Sequence, residues 1–178
     1  MMYLKYLQYL LRHKWFVMLE CFKEGLFWRG LTHDLSKFGS KEFGPYARNF
    51  FWPHENPPVE MDVTSTVDWA EQQNINKAER KRLFDIAWLH HMNANDHHWN
   101  YWVIRNDDYN VVIVPMPIAS AKEMVCDWRG MSRARNGKDD SLTWYRINRD
   151  KMMIHKDTRI IIEEMLGFYP EQIPVNTD

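Results

Sequence analysis

The sequence predicts a mainly α-helical protein, one domain across 1–178, with a single small β-hairpin insertion near 100–114. Three observations lead there. Apolar residues recur at helical spacing over long segments. β-branched residues concentrate in one place, on either side of an Asn/Asp-rich turn. Glycine and proline fall where the periodic segments would end. Hydrophobic residues make up 45% and charged residues 26%, as in a folded globular chain, while 15% aromatic residues predict a ring-rich core.

Tyr3 to about Phe27 reads as one long helix. Leu4, Leu7, Leu11, Val17 and Met18 follow helical spacing, and Lys5, Arg12 and Lys14 interrupt the apolar run. Gly25 and Gly30 place the stop between them. Residues 31–38 form a short second helix carrying His33 and Asp34, stopped by Gly39. Ser40 can cap a third helix to about Phe51, with Pro45 in its early turns. Trp52 to Met61 holds Pro53, Pro57 and Pro58 and reads as a loop, with His54-Glu55 on its solvated surface.

From about Asp62 to Asn95 the pattern is helical again, with a break near Asn74–Asn76. This helix delivers His90 and His91, with His97 and His98 just beyond. Val103-Ile104 and Val111 to Val114 flank residues 105–110 as the two arms of the hairpin, which must lie on the helical body to be stable. Pro117 begins a helix through about Ala134. Arg129 to Lys138 is basic and ends in a loop at Asn136-Gly137; such a run is usually a solvated face and otherwise a phosphate clamp. Asp139-Asp140-Ser141 can cap a helix from Leu142 to about Met153. The last helix runs from about Asp157 to Leu166 and stops at Gly167, before an extended tail with Pro170 and Pro174.

Charge and hydropathy exclude several classes. The net charge of −1 provides no basic field for nucleic acid. No run of about 18 uncharged apolar residues exists to span a membrane. No signal peptide is visible, so a cytoplasmic protein is the expectation. Cys21 and Cys126 form neither a disulfide framework nor a CxxC motif and read as small buried hydrophobes.

The residues that point to chemistry are His13, His33-Asp34, His91, His97, His98 and Asp127. His13 precedes the His-Asp pair by a distance that suits two packed helices, and Asp127 follows on a separate helix. Two imidazoles and two carboxylates from three helices make an octahedral N/O site with open positions for water. Such a site suits one or two divalent ions, Mn, Fe, Co, Ni, Zn or Mg, better than a soft-metal cage does.

The order H…HD…D, carried by His13, His33, Asp34 and Asp127, resembles the HD-domain superfamily of metal-dependent phosphohydrolases. The resemblance implies an HD-like helical bundle in which these four residues hold the metal and Asp34 helps orient the attacking water. Some members hold two ions and add histidines between the pair and the last Asp. His91 with His97 or His98 would fill that role here, or bind the substrate phosphate. Four stretches also resemble an uncharacterised bacterial and phage family of unknown function: GLTHDLSKF over 30–38, EFGPYARNFF, the His91 to Trp99 segment, and Met124 to Trp128. That likeness favours His91 over His90 as the inward ring.

Ser36-Lys37 follows the pair where many HD nucleotide hydrolases carry acids, which argues against a ppGpp hydrolase. Lys37 and Arg129 are the expected charge partners of a phosphate, with Arg48 and Lys122 behind them. The expected function is hydrolysis of a nucleotide or other small phosphate ester, with Asp34, Lys37 and Arg129 in the catalytic roles. Alternatives are an HD-type di-iron oxygenase and a non-catalytic nucleotide- or partner-binding protein. The expected partner is a small phosphorylated molecule, with no membrane and no nucleic acid; a homodimer is left open.

Overall fold

The computed structural model describes residues 1–53 and 63–169. His54-Glu55 and the tail from Pro170 lie outside the described residues. Among the described residues the protein is mainly helical with one small two-stranded antiparallel sheet. Its helices are α1 (Met2–Lys23), α2 (Phe27–Thr32), α3 (Phe43–Phe51), α4 (Val63–Ala94), α5 (Ile118–Asn136), α6 (Ser141–Asn148) and α7 (Lys156–Leu166). The hairpin strands are β1 (Val103–Arg105) and β2 (Val111–Ile113). Short 3-10 turns cover Leu35–Phe38, Trp99–Trp102 and Arg149–Lys151. None of the described helices is long and apolar enough to cross a membrane.

The chain falls into two compact units, Met1–Leu10 with Leu35–Ala94, and Leu11–Asp34 with the chain from Asn95 onward. In the first, α3 packs on α4. Its core is Tyr6, Leu10, Tyr46, Ala47 and Ala87, ringed by Phe43, Phe51, Phe84 and Trp88. Aromatic rings make up much of this core. Tyr46 and Phe50 both meet Phe84 edge-on, at centroid distances of 5.1 and 5.0 Å. Such pairs add to the area they bury. The expected break at Asn74–Asn76 is absent, and α4 is continuous. Asparagine is a poor helix former but does not stop a helix. Exposed pairs one turn apart, Gln72 with Asn76, Lys81 with Asp85 and Arg82 with Glu79, support this stretch.

In the second unit α5 packs against α7 and α6. Met124, Val125, Trp128, Tyr145, Ile162 and Leu166 form the body of its core. The buried thiols of Cys21 and Cys126 pack with Val17 and Leu26 in a smaller cluster, as small hydrophobes do. α1 ends at Lys23, earlier than the sequence suggests. Gly25 takes φ +75°, so Leu26 N–H reaches Cys21 O at 2.8 Å and closes the helix. Gly167 ends α7 as expected, with Phe168 N–H on Glu163 O at 2.8 Å.

The expected helix over 31–38 is two pieces. α2 stops at Thr32, the 3-10 turn starts at Leu35, and His33-Asp34 form the joint between them. α3 begins after Glu42 rather than on a Ser40 cap, and Glu42 makes no side-chain cap bond to it. The hairpin forms where expected, with Val103 opposite Ile113 and Ile104 opposite Val112. α6 is shorter than expected and yields to a 3-10 turn at Arg149. Asp139 holds its start by accepting from Ser141 N and Ser141 Oγ.

α1 and α5 meet at Gly130. A Cβ there would stand 2.4 Å from Val17 Cγ2 and 2.7 Å from Val17 N. The close approach therefore depends on a missing side chain. Gly130→Ala should destabilise the fold by about 1–3 kcal/mol in urea denaturation. Val17→Ala should not rescue it, because the clash is also with backbone.

Candidate metal centre

Within the second unit, His13 comes from α1, His33 and Asp34 from the joint, His97 from the turn after α4, and Glu123 and Asp127 from α5. All six are buried, at 4% exposure or less. Asp34 reaches inward because its backbone is left-handed, at φ +54°. That conformation costs a non-glycine residue about 1 kcal/mol or more and needs outside support. Lys14 supplies it by donating to Leu31 O and His33 O, each at 2.8 Å. The residue after His13 thus ties down the pair that His13 faces. Burial pushes the Lys14 amine below its ordinary range, though Asp34 and Glu123 pull the other way.

The donor atoms converge. His13 Nε2 lies 3.2 Å from Asp127 Oδ1 and 3.5 Å from Asp34 Oδ2. His33 Nε2 lies 3.3 Å from Asp34 Oδ2 and 3.5 Å from Asp127 Oδ1. His13, His33, Asp34 and Asp127 each offer one donor atom, all within 4.8 Å of one another. Ligands bound to a metal at about 2.1 Å and at right angles lie about 3 Å apart, so these separations fit a slightly open ligand set. His33 Nε2 and Asp127 Oδ1 are buried and make no hydrogen bond. Each such orphan costs about 1–3 kcal/mol, and a cation between them would satisfy both.

Asp34 divides its two oxygens. Oδ2 faces His13 and His33, whereas Oδ1 lies 3.5 Å from His97 Nε2. Asp34, His97 and His98 also bring donor atoms within 4.8 Å of one another. The His98 ring lies against His97 at 4.3 Å and is half-buried. One carboxylate therefore borders two groups of imidazoles.

The electrostatics follow from burial. Burial opposes charge on His33, but the charge of Asp34 and the approach of Asp127 and Glu123 overcome it and hold its pKa well above the ordinary value. Burial also opposes charge on Asp127, yet His33 and His13 hold its carboxyl far below the usual range. His97 goes the other way: burial, then repulsion from His33 and His98, pushes it well below. The pocket thus stores a proton on His33 and keeps His97 neutral, which is the form that ligates a metal.

Sequence reasoning missed Glu123. Its Oε1 accepts from His33 Nδ1 at 2.9 Å. It sits one helical turn before Asp127, and that i, i+4 spacing of two acids on one face of α5 was the available signal.

His91 belongs to the first unit. It is fully buried, with Nδ1 2.9 Å from Glu42 Oε2 and its ring stacked on Trp88. Glu42 takes His90 on its other oxygen at 2.7 Å. Although burial opposes charge there, the bonds to His91 and His90 hold the Glu42 carboxyl below its usual range. Lys37, in the same unit, carries its amine over the Tyr46 ring at 5.7 Å.

Arg129 is not gathered with the second unit's imidazoles. It lies two residues past Asp127, about 200° around α5. Its guanidinium bonds Met165 O and lies within 4.0 Å of carboxylate oxygens from Glu20, Glu24 and Asp139. The basic run it opens is likewise occupied, Arg133 pairing with Glu20 at 2.7 Å.

Fold and cluster together define a mainly helical protein with a buried nitrogen and oxygen centre able to hold a metal ion. The chain belongs to a family of unknown function, DUF5662, which it matches over residues 2–167. No curated protein and no solved structure matches it.

Because His33 holds its proton above 6.5, the ordinary imidazole value, a metal must displace that proton. Apparent metal affinity should rise as pH climbs through the raised His33 pKa and level off beyond it. Calorimetric titration in two buffers of different ionisation enthalpy should show about one proton released per first ion bound.

Proposed function

We propose that this chain is a metal-dependent phosphohydrolase of the HD-domain type, acting on a nucleotide or another small phosphate ester. The observation that carries this reading is the buried set His13, His33, Asp34 and Asp127, with His33 Nε2 and Asp127 Oδ1 left without hydrogen bonds. These four residues would hold one divalent ion. When bound, such an ion polarises a phosphoryl oxygen and acidifies a water molecule.

The chain's own residues do the rest. Asp34 is held by Lys14 through the backbone on its N-terminal side, so its carboxylate is fixed in direction and can orient a water for attack. His97 and His98 would bind a second ion or the substrate phosphate. Lys37 belongs to the first unit, where its amine lies over the Tyr46 ring, and this reading gives it no part. Arg129 drops out as a charge partner of the phosphate, because its charge is already shared among carboxylates. Burial of the cluster strengthens every electrostatic contact made inside it.

A second reading has one observation in its favour. Asp34 directs separate oxygens at separate imidazoles, which suits a carboxylate shared between two ions, and a di-iron pair could activate oxygen instead of water.

Metal content of protein purified without chelator, followed by a screen of nucleotides and phosphate esters with Mn²⁺, tests both readings. Asp34→Ala and Asp127→Asn should lose bound metal and bring hydrolysis below detection while the helical circular dichroism stays intact. Full metal retention and wild-type turnover in both variants would sink the hydrolase reading. An iron-dependent visible band with oxygen uptake and no ester turnover would favour the second.

A further inference from the structure

One carboxylate in the second unit touches imidazoles on both sides of the cluster. Glu123 Oε1 lies 2.9 Å from His33 Nδ1 and 3.4 Å from His97 Nδ1. The two rings lie beside each other, with centroids 4.6 Å apart. At their other ends, His33 Nε2 and His97 Nε2 address different oxygens of Asp34. The pair of imidazoles is therefore clamped between two carboxylates, Glu123 behind and Asp34 in front.

The rear carboxylate is fixed in turn. Arg29 Nη1 lies 3.2 Å from Glu123 Oε2. Arg29 Nη2 donates to both oxygens of Asp96 at 2.7 Å, and to Ser120 Oγ at 2.8 Å. Ser120 Oγ donates to Asp96 Oδ2 at 2.8 Å. Arg29 sits four residues before His33, Asp96 precedes His97, and Ser120 and Glu123 lie on the helix that carries Asp127. A single guanidinium thereby joins the three segments that deliver the imidazoles and the carboxylate.

His33, His97 and Glu123 also bring donor atoms within 4.8 Å, so Glu123 could in principle be a ligand itself. Two facts argue against that. The 2.9 Å contact with His33 Nδ1 is a hydrogen bond, and the second oxygen already faces a cation. A further positive ion on the same carboxylate would be repelled by Arg29.

We propose that Glu123, aimed by Arg29, is a positioning residue shared by both halves of the metal centre. It fixes the Nδ1 proton on His33 by a hydrogen bond and holds its charge 3.4 Å from Nδ1 of His97, favouring Nε2 of both rings as the atoms that face Asp34, so that the two half-sites take up ions as a coupled pair. The proposal rests on the metal-centre reading above but not on any hydrolysis. Carboxylates that orient a ligating histidine commonly contribute about 10–100-fold to metal affinity.

The test is a titration of chelator-treated protein with Co²⁺, followed by calorimetry and by the cobalt absorption band. Wild type should bind two ions. Glu123→Gln, which keeps size but loses the charge, should weaken both binding events by about 10–100-fold. Glu123→Asp should recover part of that loss, which a merely space-filling role would not give. His97→Ala should remove one event and spare the other. Arg29→Lys, which breaks the fork but keeps the charge, provides the same readout if Glu123→Gln does not fold. Wild-type affinity in Glu123→Gln, or loss of one event alone, overturns the proposal. A wild-type chain that binds no Co²⁺ overturns the metal-centre reading with it, whereas two bound ions without ester turnover overturn only the hydrolase reading.

Discussion

Three carboxylates, Asp34, Glu123 and Asp127, are withdrawn from water in one small volume of the second unit, and the arrangement around them answers that charge. Isolated buried carboxylates are too costly to keep ionised without partners. Here the partners are imidazoles in front and Arg29 behind. The raised pKa of His33 and the depressed pKa of Asp127 are two faces of this constraint. Yet the match is loose. His33 Nε2 and Asp127 Oδ1 stand 3.5 Å apart, buried, without a hydrogen bond. A cluster built only for stability would be expected to close that gap, because a half-satisfied buried network is worse than an apolar core.

The geometry depends on how closely two helices can approach. α5 carries Glu123 and Asp127 on one face, and Gly130 admits Val17 of α1 to the space where a Cβ would stand. Val17 lies one turn beyond His13 on α1, as Gly130 lies about one turn beyond Asp127 on α5. The same packing that buries Val17, Cys21 and Cys126 therefore sets the 3.2 Å approach of His13 to Asp127. Apolar packing does the positioning, and the polar atoms occupy the place it creates.

Much of this was legible in the sequence, for a physical reason. Helical periodicity and glycine stops gave α1, α5 and α7 to within a few residues, and the β-branched arms gave the hairpin. His13, His33, Asp34, His97 and Asp127 were identifiable because imidazole and carboxylate are poor core fillers. The joint at His33-Asp34 was not legible. Nothing local makes Leu31 to Phe38 anything but helix; the break is imposed by Lys14, seventeen residues before Leu31, bonding two carbonyls there. Glu123 was hidden for the opposite reason. An acid on a helix ordinarily faces water, and only the three-dimensional approach of His33 distinguishes it. Arg129 misled because a basic run tells of charge but not of the acids already waiting for it.

Glu42 and Glu123 are instances of one device. Each is a buried glutamate that takes the Nδ1 side of a buried histidine, His91 in the first unit and His33 in the second, at 2.9 Å. A structural histidine could be satisfied more cheaply by a backbone carbonyl or a hydroxyl. A carboxylate does something these cannot: it fixes the tautomer and makes the opposite nitrogen more basic. Two glutamates spent this way mark Nε2 of both rings as the working atom. On that argument Glu42 orients the His91 ring within the first unit as Glu123 orients the His33 ring within the second.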